Sequence, residues 1–132
     1  MATKRAARAQ KIAQAAIVDL PVTAPQMFIN RELSSLEFNQ RVLAQSLDAR
    51  VPLLERLKFL CISSSNLDEF FEIRVAGLKQ LLELGSTQTG PDGLAIADQL
   101  TAIHQRATGL VRDQYACLND VQIGRASCRE RV

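Results

Sequence analysis

The chain has 132 residues, 47% hydrophobic and 23% charged, which is enough apolar material for one domain with a core and too much for wholesale disorder. No run approaches the roughly 18 apolar residues of a membrane span, and six Gly with four Pro exclude a collagen-like or linker-like chain. The net charge of +2 belongs to the ends: without residues 1–25 and 122–132 the chain keeps nine basic and twelve acidic residues, so its middle has no broad electrostatic footprint for nucleic acid.

Residues 1–25 are rich in Ala, Lys, Arg and Gln. A helix over Ala6–Leu20 is feasible, but its longest apolar stretch, Ala15–Val18, is too short for a secretory leader. A basic, acid-poor start also resembles a mitochondrial presequence. The simpler expectation is a flexible basic tail ending at Pro21 and Pro25.

Residues 26–121 read as an all-α unit, a bundle of about four helices. Ser34 and Glu37 have capping-box spacing and predict a first helix over 35–49, with Leu36, Phe38, Val42, Leu43 and Leu47 at helical intervals. Pro52 suits the first position of a second helix, expected to end at Ser64. Leu53, Leu57, Leu60 and Cys61 share one of its faces, and Phe59 and Ile62 point the other way. A helix apolar on two sides is buried between neighbours or turns one side to another domain.

Ser63-Ser64-Ser65-Asn66 predicts a break, with Asn66 capping a third helix that runs from Leu67 to Leu84 and stops at Gly85. On this wheel Arg74 falls inside the apolar arc. A guanidinium there snorkels, pairs with a carboxylate (Glu32, Glu37 and Glu55 being the candidates) or meets an anion or another domain. A structural ion pair or a snorkel is the expected outcome, because buried Arg is usually paired.

Gly85–Gly93 is a turn-rich loop without a phosphate-loop pattern, and a fourth helix is expected over Leu94–Val121. The sole histidine, His104, lies beside the apolar seam of that helix with no acid or nucleophile near it in the pattern, a poor catalytic candidate. Residues 122–132 break the periodicity and resemble the translation of a sequencing adapter. They are read as a non-native tail on a shortened frame. Cys61, Cys117 and Cys128 show no zinc spacing; the first two are expected to be buried apolar groups. The odd count without a leader points to a reducing, cytoplasmic setting. Asp68 and Glu69, adjacent on a helix, diverge by about 100° and read as acids favoured at a helix start.

No complete catalytic constellation emerges from the residues themselves. Phe28–Leu78, however, resembles the amino-terminal domain of bacterial polyphosphate kinases. The matching pieces are Asn30-Arg31-Glu32-Leu33-Ser34, Leu36-Glu37-Phe38-Asn39, Arg41-Val42-Leu43, Pro52–Leu60, Asn66-Leu67-Asp68-Glu69-Phe70-Phe71 and Arg74-Val75-Ala76-Gly77-Leu78, in family order and spacing. The resemblance implies an enzyme that reversibly moves the terminal phosphate of ATP onto inorganic polyphosphate through a phosphorylated histidine, with Mg2+. It implies that the histidine, the Mg2+ ligands and the basic residues around them lie in later domains. His104 matches no family motif and inherits no role.

One position carries over. The Asn that opens the NLDEF segment contacts ATP in the family, and here it is Asn66. Capping and nucleotide contact compete for its side chain, and the residues alone favour the cap. Expected partners are ATP or ADP, polyphosphate, the remaining domains and further copies in the full-length enzyme, with a cytoplasmic location compatible with peripheral membrane association. The alternative is a stand-alone helical protein-interaction module. Ser35 departs from the family, which has Trp there; burial of that site would make the loss worth several kcal/mol, by analogy with about 3–5 for Trp to Ala.

Overall fold

The computed structural model describes residues 21–120. The expected helix over Ala6–Leu20, Cys128 and the expected non-native residues 122–132 lie outside the described residues. The ordered elements among them are all helical: a 3-10 turn at Pro25–Met27, α1 (Arg31–Leu47), α2 (Leu53–Glu69), a π-helical segment (Phe70–Val75), α3 (Ala76–Glu83) and α4 (Ile96–Asp120). The chain turns earlier than the expected end of the tail, with Ala24 buried and its N–H on the Pro21 carbonyl at 2.7 Å.

Helix α1 starts four residues before its predicted boundary. Its cap is Asn30, whose Oδ1 accepts the N–H groups of Glu32 and Leu33, both at 3.0 Å. Asn is as good a cap as Ser, so the upstream residue takes the role and Ser34 lies within the helix. Glu37 is thereby released to pair with Arg106 across the interface with α4. At the other end, Arg56 Nε donates to the carbonyl of Ser46 at 2.8 Å, satisfying one of the carbonyls a helix end leaves open.

The link to α2 holds an exposed clip. Asp48 accepts from the backbone N–H of Arg50 at 2.9 Å and from its guanidinium at 2.7 Å. The Arg50 side chain, then its backbone N–H, hold the Asp48 carboxyl at about 2, below its ordinary 3.8.

The largest departure from expectation lies in the middle. Ser63-Ser64-Ser65-Asn66 does not break the chain: α2, the π segment and α3 form one uninterrupted helical run from Leu53 to Glu83. Ser and Asn cost roughly 0.5 kcal/mol each in a helix interior. Burial of Leu60, Leu67 and Phe70, each at 8% exposure or less, contributes roughly 1.5–3 kcal/mol apiece and outweighs that cost.

Buried positions along this run are Leu60, Ser63, Leu67, Phe70 and Val75. The five-residue step from Phe70 to Val75 is the register change of the π segment. A plain α-helix would put Arg74 in the seam; the extra residue delivers Val75 there and turns Arg74 out of it. Phe71 and Leu82 are exposed. Leu57 and Cys61 are also exposed rather than buried, because the seam runs through Ser63 instead of through their face.

Gly85 ends the run as expected. At φ +69° it adopts the left-handed conformation, and the N–H groups of Ser86 and Gly85 close on the carbonyls of Leu81 and Leu82, both at 3.0 Å. The core joins Leu36 and Leu43 of α1 to Leu60, Leu67, Phe70 and Val75 of the long run and to Ile103, Ala107, Leu110 and Cys117 of α4.

Candidate functional site

Helix α1 and the middle of the long run enclose a cleft of about 250 Å³. Residues 66, 69, 70, 73 and 74 share one stripe of the run and face residues 35, 36, 38 and 39 of α1. Leu36, Phe38, Phe70 and Ile73 make its apolar side; Ser35, Asn39, Asn66, Glu69 and Arg74 make its polar side. Phe38 and Ile73 are 55% and 62% exposed, large apolar side chains left open at the rim. The Arg41 guanidinium stands 5.8 Å from the Phe38 ring centroid.

Asn66 caps nothing, since the helix continues through it on both sides. Its Nδ2 donates to Asn39 Oδ1 at 3.4 Å, a weak contact. Asn39 is the better-anchored partner: it is 4% exposed, and its Nδ2 donates to the Ser63 carbonyl at 2.9 Å. Asn39 therefore orients Asn66 from behind. The second N–H and the carbonyl oxygen of the Asn66 amide make no hydrogen bond among the described residues, which leaves a donor and an acceptor for a ligand. The competition between capping and ligand contact falls away.

Arg74 reaches the same cleft from the π segment. Its Nη1 lies 3.5 Å from Glu32 Oε1, an ion pair in which the carboxylate is 5% exposed and the guanidinium 44%. Glu32 Oε1 also accepts from Arg31 Nε at 3.0 Å, while Oε2 is buried and has no partner among the described residues. Of the three carboxylates proposed for Arg74, Glu32 holds it, Glu37 goes to Arg106 and Glu55 to Lys58.

A larger cleft of about 400 Å³ separates the start of α1 from the Gln88–Asp92 loop. Most of its polar groups satisfy one another: Asn30 Nδ2 donates to Asp92 Oδ2 and Gln99 Nε2 to the Leu94 carbonyl, each at 3.0 Å. Such pairing is how a fold closes its own backbone and side-chain accounts, and it leaves fewer groups for a ligand. His104 is exposed beside Phe71 and Ala107, with no acid lining the same depression. Ser35 is exposed at the rim of the first cleft, so the absent aromatic costs the core nothing.

Mg2+, which the resemblance implies, does not fit here. Among the described residues no three His, Cys, Asp or Glu side chains come together as metal ligands, and Glu69 is the one carboxylate lining the cleft. No described helix is long and apolar enough to cross a membrane.

Two parts of this site escape the sequence reading. The Asn39–Ser63 bond had one signal: Leu36, Asn39, Leu43 and Ser46 follow at intervals of three and four, so Asn39 falls on the buried face of α1. The π insertion has no such signal, because a wheel presupposes the period that the insertion breaks.

The model of the polyphosphate kinase N-terminal domain matches residues 28–126. A polyphosphate kinase of Xylella fastidiosa (strain Temecula1) is 58% identical over 97 residues, covering 74% of this chain and 14% of the relative. One from Thermosynechococcus vestitus is 57% identical over 91 residues, 69% of this chain and 12% of the relative. One from Pseudomonas syringae pv. tomato is 58% identical over 95 residues, 72% and 13% respectively. The chain thus spans about one seventh of the length of the curated relatives it matches. No solved structure matches it.

Proposed function

Because the chain belongs to the polyphosphate kinase N-terminal domain family, we propose that it forms one wall of the ATP site in an enzyme that reversibly transfers the terminal phosphate of ATP to inorganic polyphosphate. Asn66 is the residue of this wall that meets ATP. The observation that carries this reading is the uncommitted amide of Asn66, held at the cleft by Asn39 instead of being spent on a helix cap. An amide that presents both a donor and an acceptor suits the edges of a base or the hydroxyls of a ribose. The apolar half of the cleft suits the face of the base.

Phosphoryl transfer needs a nucleophile in line with the terminal phosphate and stabilisation of its oxygens. His104, exposed and unsupported, is not proposed for that task. The reactive histidine and the Mg2+ ligands are assigned to other domains of the enzyme, and the contribution of this chain is binding and orientation. Polyphosphate, those domains and further copies of the enzyme are its proposed partners, in the cytoplasm. This chain on its own is expected to form no acid-insoluble polymer from labelled ATP and Mg2+; polymer above background would refute the division of labour.

The direct test is Asn66→Ala in the complete protein. ATP binding weakens by about tenfold, the worth of one good hydrogen bond to a buried ligand, while polyphosphate binding holds. Equal loss for both ligands, or for neither, contradicts the reading. A second reading, a helical protein-interaction module, draws on Leu54 and Ile62, which stand 67% and 46% exposed on α2. It predicts a folded chain that captures a protein partner and whose thermal midpoint ATP does not move.

A further inference from the structure

We infer that Arg74 is a phosphate contact of the same cleft, aimed by the buried carboxylate of Glu32; the inference rests on the nucleotide reading of Asn66 and adds a second anchor to it. Four observations carry it. The π segment turns Arg74 out of the core seam, where an unbroken helix would have buried it, and Val75 fills the seam instead. The guanidinium lines the Asn66 cleft and stays 44% exposed. Its contact with Glu32 is a single one at 3.5 Å, the outer limit of a hydrogen bond, so most of its five N–H donors stay uncommitted. Finally, Glu32 is 5% exposed, fixed in the first turn of α1 and partly satisfied by Arg31, so it anchors Arg74 from behind without covering it.

A group needed only to neutralise Glu32 would be expected to approach closer, and to both carboxylate oxygens. Among the described residues Oε2 has no hydrogen-bond partner. The planar guanidinium with free donors is the side chain best shaped for phosphate oxygens. Spacing supports the same assignment. Asn66 and Arg74 are eight residues apart on one helical run, on the order of 10 Å along its axis, since the π segment rises less per residue than the roughly 1.5 Å of an α-helix. That separation accommodates a nucleoside at the Asn66 end and its phosphates at the Arg74 end. Glu69 lies between them in sequence, and its charge disfavours phosphate beside it.

The test measures KM for ATP, kcat, KM for polyphosphate and thermal midpoint in the complete protein for Arg74→Gln, Arg74→Lys, Glu32→Gln and Asn66→Ala. Arg74→Gln is expected to raise the ATP KM by about tenfold or more, since a charge-assisted hydrogen bond is lost, with the polyphosphate KM within about twofold. Arg74→Lys keeps the charge but loses the fork, and recovers only part of that loss. Glu32→Gln, by loosening the aim, gives a smaller rise of about threefold. An unchanged ATP KM in Arg74→Lys and Arg74→Gln, whatever happens to the midpoint, overturns the inference and leaves a structural ion pair. Should Arg74→Gln fail to fold, Arg74→Lys decides: a raised ATP KM at an unchanged midpoint supports it and an unchanged KM overturns it. If Asn66→Ala raises the ATP KM and no Arg74 variant does, this inference alone is lost. If Asn66→Ala has no effect, the nucleotide reading itself fails and the inference falls with it.

Discussion

Two places where the long helical run meets its neighbours use the same kind of residue to opposite ends. At the crossing with α1 and α4, Ser46, Ser63 and Cys117 are buried to 1% exposure or less. Ser46 Oγ donates to the Leu43 carbonyl at 2.6 Å and stands 3.0 Å from Cys117 Sγ, and Gln114 Nε2 donates to Ser63 Oγ at 2.9 Å. Small polar side chains let the helices approach, and each finds a partner. About one turn along at Asn66, and about three turns along at Arg74, the side chains are anchored on one side and open on the other. A polar residue inside a helix is therefore not informative by itself. What separates a packing device from a ligand contact is whether its hydrogen-bonding capacity is used up.

Changes to the closed region are expected to act on stability. Leu43→Ala, at a position with no exposure, should cost about 2–5 kcal/mol in urea unfolding. A loss under about 1 kcal/mol would mean that Leu43 is not packed between the helices at this crossing. Ser63→Leu forces extra volume between three helices and should cost about 1–3 kcal/mol by the same measurement. In the open region the expectation reverses. Ser35→Trp restores a large aromatic at an exposed rim, so its effect on unfolding should stay within about 0.5 kcal/mol; a change of several kcal/mol would place that residue in the core.

The smallest effect belongs to the exposed clip at Asp48. Its carboxyl is held down, so the contact with Arg50 is complete above the ordinary value of 3.8 and is lost as pH falls through about 2. Carboxyl chemical shifts should give a midpoint of about 2 that returns toward 3.8 in Arg50→Ala. High salt should weaken the shift, as for any surface pair. An ordinary midpoint in the parent chain would show that the clip does not form in solution.

Much of this was legible from residue pattern alone: the all-α class, the Gly85 stop, α4 to within two residues and Glu32 among the partners of Arg74. The errors have one physical source. Local propensity assigns Ser and Asn to helix ends, and so points to Ser34 as a cap and Ser63–Asn66 as a break. Propensities of a few tenths of a kcal/mol yield to the burial of flanking Leu and Phe. The pattern gives Asn66 as a helix cap, and the structure places it inside a continuous helix instead. The exposed face of α2 differs from the wheel for a related reason: hydrophobicity favours Leu57 and Cys61, whereas the small Ser63 makes the contact. The role of Arg74 needed the π insertion, which no fixed period reveals.

The most direct measurement pairs one residue from each region in the complete protein: ATP dissociation constant and thermal midpoint for Asn66→Ala and for Gln114→Ala. A crossed outcome is expected. Asn66→Ala loses ATP affinity by about tenfold at a midpoint near the parent's, and Gln114→Ala, which strands Ser63, lowers the midpoint with ATP affinity intact. Parallel changes in both quantities for both variants would mean that the two regions do not differ in kind, and that Asn66 is one more packing residue.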